Sequence, residues 1–428
     1  EIDKDLFDLL KDKAFPMETL FIFGTNREAL VTVIQELKKE KSKESVTQLS
    51  LSKNPDIEGY PLFVPTYRLT LYPILRAETE LQFGISEKDL EVLCKFNAFV
   101  TDDRVLLMRY KNAEPAKIKI LREGIKSNNN LNEYFKVDNC VNDVKNIDLL
   151  IQRFFDYLNI VPEEFEKLKE LKEEIKHFKN IKIYLEDLKD LKDAIEDVGF
   201  YKDESEKNKL EQEAYDKLIS GEITIKEHSE IVQKLGRMAK EKEVEYRNKK
   251  LKIKHIANHY YIPLILSADE KVDYIKHIIK IKSEVKFVND LEEYIEKANN
   301  RFKEFDWWFF SKLDESLDEI YIPYYNPNIN NISRFYPDFI FWLKKGNDYF
   351  IVFVDPKGTE HTSAERKIDG YEILFGELGK EKLFNYKGYR VRIKLLLKAI
   401  GTSGSSGKYN KYWFNKISEM LDKILEAV

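Results

Sequence analysis

The chain has 428 residues, 43% hydrophobic, 34% charged and 13% aromatic, with a formal net charge of −5; this is the make-up of an ordered chain of roughly two to four domains. No apolar run approaches the roughly 18 residues that cross a bilayer, and no signal-peptide pattern is present. Two cysteines, Cys94 and Cys140, and six scattered histidines argue against a disulfide framework or a zinc site, and fit a reducing cytoplasm.

In chain order, residues 17–35, "METLFIFGTNREALVTVIQ", predict a strand, a turn at Gly24 and a helix. That turn is not a phosphate loop, because G-x-x-x-x-G-K-[ST] occurs nowhere in the chain. Residues 60–110 mix strands and short helices, so 1–155 reads as an α/β part. Residues 162–199 place Leu168, Leu171, Ile175, Phe178, Ile181, Leu185 and Leu188 at three- and four-residue steps between Lys and Glu. That spacing predicts a helical hairpin or short coiled coil with a solvated charged face. A second charged helical segment spans about 204–250, and its basic end "RNKKLKIKHI" is either an exposed helix end or a phosphate contact. The domain plan is therefore 1–155, a charged helical insertion at 156–250, and a compact unit at 255–428.

That last unit predicts a helix at "LEEYIEKANNRF", with "DWWFFSKL" as its possible continuation. Three strands follow, "EIYIPYY", "RFYPDFIFWL" and "YFIVFVDPK", then a helix "SAERKIDGYEILFGEL" with a capping box of Thr362 and Glu365. A fourth strand "YRVRIKLLLKA", a flexible loop "GTSGSSG" and a terminal helix close the unit. From Lys380 to Lys416 there are ten Lys/Arg and one acidic residue, Glu381, enough for a basic patch on an acidic protein.

The charges inside the apolar runs carry the chemistry. A charge in an apolar strand costs several kcal/mol unless it is paired. "KKGND" between the second and third strands predicts an antiparallel hairpin. If Leu343 faces Phe350, the register sets Asp338 opposite Asp355, with Cβ atoms roughly 4.5–5.5 Å apart. Like charges so placed repel, and a divalent cation between them turns repulsion into ligation. Lys357 shares a strand face with Asp355, and Pro356 keeps a carbonyl oxygen free to ligate. Oxygen-only ligands suit Mg²⁺ or Mn²⁺. Asp338 and Asp355 are the expected metal ligands, and Lys357 the group that stabilises negative charge or positions a water, as metal-assisted phosphodiester hydrolysis requires. The bland alternative is two turn aspartates and a small Asp355–Lys357 ion pair. On the fourth strand Arg390, Arg392 and Lys394 alternate with Val391, Ile393 and Leu395; that face is either a charge-protected edge or a contact to DNA phosphates.

"YPD…VDPKG" in this helix–strand–strand–strand–helix–strand order resembles the PD-(D/E)XK nuclease superfamily, with Asp where Glu is commoner. "DWWFFSKLDESLDEIYIPYYNP" with "RFYPDFIFWL" and "FVDPKG" is similar to the C-terminal nuclease end of type III restriction-enzyme Res subunits and related helicase–nuclease proteins, over about 255–428. "ETLFIFGTNREAL" echoes the segment after the second RecA-like lobe of those proteins. The resemblance implies a Mg²⁺-dependent endonuclease acting on double-stranded DNA in restriction or phage defence, an upstream helicase motor and a modification or specificity subunit as partners. It also implies a further ligand from the first helix, for which Glu304 and Glu315 are candidates. The chain has no Walker A or DEAD/DEAH box, so no ATP hydrolysis is expected of it alone. It starts at Glu1 rather than Met, as a processed product or part of a longer polypeptide would. Two other readings stand beside this one: a non-catalytic DNA-binding or docking module on the same scaffold, and a nuclease for RNA or branched DNA.

Overall fold

Aromatic and β-branched runs in the C-terminal half alternate their side chains between two separate cores, which is what builds the central sheet of a mixed α/β fold. The computed structural model describes residues 46–76, 83–126, 135–137, 146–184, 188–246, 248–267, 269–358, 364–377, 380–400 and 407–426. The strand–turn–helix at 17–35, Cys140, Leu185, the Thr362 end of the capping box, the 401–406 loop and the Lys357 side chain lie outside the described residues.

The sheet-forming elements are α1 (Lys282–Glu296), β1 (Trp307–Lys312), β2 (Phe339–Lys345), β3 (Asp348–Gly358), α2 (Ala364–Phe375), β4 (Leu383–Tyr386), β5 (Tyr389–Ile400), β6 (Trp413–Phe414) and α3 (Ile417–Leu425). The strand order is β1-β2-β3-β5-β4, with β6 beside β5. β1/β2, β2/β3 and β5/β4 pair antiparallel, and β3/β5 pair parallel. Between β3 and β5 the chain crosses over through α2, as a parallel pair demands. One face of the sheet buries Phe310, Phe341, Phe350 and Val352 against Phe287, Val288 and Leu291 of α1 and Met420 and Leu421 of α3. The other buries Trp342, Ile351, Phe353 and Ile393 against Ile368, Tyr371 and Phe375 of α2. Gly346 takes φ +58 in the β2–β3 turn, a conformation glycine adopts without penalty.

Several elements differ from the sequence-based expectation, each for a local reason. "DWWFFSK" is the first core strand rather than a helix, because its four aromatics alternate across the sheet, a role that suits β-favouring rings. "EIYIPYY" is not a core strand: Ile322–Asn326 pairs with Asn331–Phe335 as a separate hairpin. "RFYPDFIFWL" breaks between those elements at Pro337, which has no N–H to donate. The hairpin packs on α2 at Gly370, where an added Cβ would stand 2.5 Å from Tyr324 Cβ and 2.7 Å from the Pro323 carbonyl oxygen.

Residues 162–199 are not a coiled coil. Glu163–Glu170 is a strand paired antiparallel with Phe63–Leu69, and the register skips Glu166. That bulge turns Phe165 and Leu168, three residues apart, to the same core, so a helical spacing arises from an irregular strand. Among the described residues of this segment, only Lys189–Gly199 is α-helical. The next segment forms helices Glu204–Ser220 and Ile225–Arg237, but its basic end is a strand, Lys249–Lys254, paired with Glu241–Tyr246. Lys252 there pairs with Glu241 and Glu243.

The first half of the chain also seals the sheet. Trp342 Nε1 donates to the Phe63 carbonyl (2.8 Å), and Tyr349 Oη donates to the Pro61 carbonyl (2.7 Å) while accepting from the Phe63 N–H (3.2 Å). Thr47–Leu49 and Ile275–Lys276 flank Ile181–Ile183 in one small sheet. A separate core gathers Phe83, Leu93, Leu106, Leu121, Phe154 and Phe155. Among the described residues no helix is long and apolar enough to cross a membrane.

Candidate functional site

The β2/β3 hairpin has the register read from the sequence: Leu343 faces Phe350 and Phe339 faces Val354. The ladder ends at that pair: Asp338, just before β2, lies in a bend after Pro337, and Asp355 follows Val354 in β3. Asp355 is wholly buried, and the two-residue strand period puts it on the side of Ile351 and Phe353, facing α2. Lys357 continues β3 opposite Ala399 of β5.

A second pair of charged groups joins Asp338. Lys312 ends β1, and its Nζ lies 3.0 Å from Glu284 Oε1 and 3.4 Å from Asp338 Oδ1. Its ammonium also stands 5.4 Å from the centroid of the Phe339 ring. Glu284 is only 3% exposed. It sits on the buried stripe of α1, one turn before Phe287 and Val288 and two before Leu291. Burial pushes its carboxyl up to about 7; Lys312 opposes the rise, while the Asp338 charge and a hydrogen bond with Asp338 add to it. Burial acts to lower the Lys312 ammonium, but Asp338 and Glu284 outweigh it and hold the ammonium above the ordinary lysine value. Together these are two acids with one ammonium between them.

The backbone under Lys312 is pinned. Its N–H donates to His259 Nε2 (3.0 Å), whose Nδ1–H is set against the Tyr261 carbonyl (2.7 Å). Burial holds His259 neutral, down to about 3. The Leu313 N–H donates to the Asp338 carbonyl (2.8 Å). Beyond β1, Asp318 accepts from the backbone N–H groups of Lys176, His177 and Asp314 and pairs with His177 Nδ1 at 2.7 Å; His177 Nε2 meets Tyr261 Oη at 2.8 Å.

The other anticipated residues lie elsewhere. Glu304 pairs with Arg301 and Lys345 at the surface, and Glu315 is exposed in the loop after β1. The first-helix acid that reaches Asp338 is Glu284. Its signal in the sequence was a glutamate on the apolar stripe formed with Phe287, Val288 and Leu291. Arg390 and Arg392 close on the two oxygens of Asp348 at 2.6 and 2.7 Å. Lys394 is buried, donates to the Lys423 carbonyl (2.7 Å) and pairs with Glu381 (3.1 Å). Leu397 is the β5 partner of Asp355, so Arg390 lies seven residues back along the strand, roughly 23 Å at a strand's rise. The structure thus does not bring the basic face of β5 to the aspartates. Nor is β5 an edge strand, since it runs between β3 and β4. A cleft of about 830 Å³ also lies apart from the aspartates, lined by residues 49–56, 199–203, His255 and Glu292.

The donor chemistry of Glu284, Asp338 and Asp355 is all oxygen, as Mg²⁺ or Mn²⁺ prefers. The arrangement is closed around an ammonium instead: among the described residues, no three His, Cys, Asp or Glu side chains converge as a group that could hold a metal.

These elements define a helix-flanked mixed sheet with Asp355 buried in β3 and Glu284, Lys312 and half-buried Asp338 gathered near the start of β2. The model of the YagJ family matches residues 275–391, a span that holds Glu284, Lys312, Asp338 and Asp355. No curated protein and no solved structure matches the chain.

Proposed function

We propose that this chain carries a metal-dependent nuclease unit of PD-(D/E)XK type that hydrolyses phosphodiester bonds of double-stranded DNA. The observation that carries the reading is the hairpin register, paired as far as Phe339 and Val354 next to Asp338 and buried Asp355, with Glu284 of α1 reaching Asp338. The helix–three strands–helix–strand order with β3 parallel to β5 supports it. Asp338 and Asp355 would be the protein ligands of a metal, and a bound Mg²⁺ or Mn²⁺ would supply an activated water and neutralise phosphate charge. Asp355 fixes one ligand rigidly because it is locked between β2 and β5. Lys357, two residues beyond it, is the group for charge developing on the phosphate. The wider assignment, to a type III-like restriction or defence enzyme with a motor elsewhere, is part of the same proposal.

The test is plasmid nicking by the full chain with MgCl2 or MnCl2, with and without EDTA, beside Asp355→Asn. Cleavage that needs metal and is lost in a folded Asp355→Asn variant supports the reading. Equal cleavage by parent and variant, or none by the parent under any condition, overturns it. One observation favours the non-catalytic alternative: Lys312 already satisfies Glu284 and Asp338. That reading expects DNA binding without cleavage.

A further inference from the structure

The small sheet of Thr47–Leu49, Ile181–Ile183 and Ile275–Lys276 turns Ile181, Ile183 and Ile275 into the core and leaves Gln48, Lys182 and Lys276 exposed. The register sets Lys182 between the other two, with Gln48 opposite it on one side and Lys276 on the other. We propose that this outward face, through Lys182 and Lys276, is a contact surface for the phosphate backbone of double-stranded DNA beside the candidate site. The choice of partner rests on the nuclease reading above.

Three observations carry it. Lys182 and Lys276 are antiparallel cross-strand partners, and like charges directly opposite repel. The three strands contain no acid, and among the described residues neither lysine has an ion pair. The neighbouring hairpin is built otherwise: its Lys250, Lys252 and Lys254 each meet Glu241 or Glu243 across the strands. The Gln48 amide is spent on the Lys179 carbonyl and on Asn180 Oδ1, and the Lys276 ammonium stands 5.3 Å from the centroid of the Tyr184 ring, which holds it on the face with its charge intact. Two bare cations fixed side by side by a sheet are matched by a row of backbone phosphates, which takes them without regard to sequence. The third observation is position. His277, next to Lys276, sets Nδ1 against Asp314 Oδ2 at 3.0 Å, and the adjoining Leu313 N–H donates to the Asp338 carbonyl. The end of the lysine-bearing strand is thereby fastened to the residues around Asp338, whereas Arg390 and Arg392 are already taken by Asp348.

The experiment is fluorescence anisotropy of labelled DNA duplexes of unrelated sequence with the full chain in EDTA, from about 50 to 200 mM KCl, for the parent, Lys182→Ala/Lys276→Ala and Lys182→Arg/Lys276→Arg. The expected result is weaker binding of every duplex by the alanine variant, with a log–log salt slope shallower by roughly two, about one for each lysine, and parental behaviour in the arginine variant. The melting midpoint of the alanine variant should not fall, since it loses a repulsion across the strands. An unchanged slope in the alanine variant overturns this surface and leaves the nuclease reading standing. No duplex binding by the parent also overturns it, and the nicking assay then decides the nuclease reading separately. A slope that falls as expected in a chain that never nicks plasmid with Mg²⁺ keeps the surface and overturns the nuclease reading. Binding of poly-L-glutamate by the parent as tight as that of the duplex, and lost in the alanine variant, assigns the face to an acidic protein and overturns the proposal.

Discussion

Replacing Glu284 by Gln should stabilise the protein at neutral and alkaline pH. The amide that results keeps the shape of the carboxyl, can accept from Lys312 and donate to Asp338, and never ionises. In the parent the folded carboxyl holds its proton up to about 7 against an ordinary value of 4.5, so between those values the folded state binds more proton than the unfolded one. This contribution is therefore fully present below about pH 4.5 and is lost as pH rises through 7. At about 1.4 kcal/mol for each pH unit between the two values, the loss amounts to about 3 kcal/mol. Urea unfolding of parent and variant at pH 5, 6, 7 and 8, in EDTA, measures it: the stability difference should grow with pH in favour of Glu284→Gln and level off above pH 8. A variant that keeps the parent's slope over this window would refute the upward shift of the Glu284 carboxyl.

Three other outcomes follow from the same geometry. Asp318→Ala removes the acceptor of three backbone N–H groups and of His177, and should cost about 3 kcal/mol or more, read as a lower urea midpoint; a loss under about 1 kcal/mol would mean that water replaces the carboxylate. Arg392→Ala leaves Asp348, 4% exposed, with only the half-exposed Arg390, and should cost about 2 kcal/mol; a change in DNA binding without loss of stability would restore a phosphate-contact role to this strand. Gly370→Ala forces a methyl against Tyr324 and the Pro323 carbonyl and should cost about 1–3 kcal/mol, with the 322–335 hairpin more open to protease; unchanged protease resistance would speak against the close packing.

The hairpin and its register were legible because Leu343, Phe350 and the turn between them specify the pairing locally, and a buried aspartate in an apolar run is a conspicuous cost. The α2 face was legible for the same reason, as Ile368, Tyr371, Leu374 and Phe375 keep helical spacing. What escaped was decided at long range. Glu166 bulges out of its strand, and so Phe165 and Leu168 imitate a helix. Arg390 and Arg392 look like free cations until Asp348, some forty residues earlier, folds against them. Lys312 and Glu284 meet only because α1 packs across β1 and β2, which no local pattern announces.

The contact of Trp342 with Phe63 bears on how the molecule can be divided. Similarity to a known family begins at residue 275, which invites excision of the C-terminal half. Yet a piece starting at 255 would leave the indole N–H of Trp342 and the hydroxyl of Tyr349 without their acceptors. It would also strip Leu62, Phe63, Val64, Leu168, Phe178 and Ile181 from the face shared with Trp342 and Ile351. The bared sheet would be a broad greasy plane next to unpaired strand edges, prone to clumping. The C-terminal half and the strand near residue 63 are best purified as one chain.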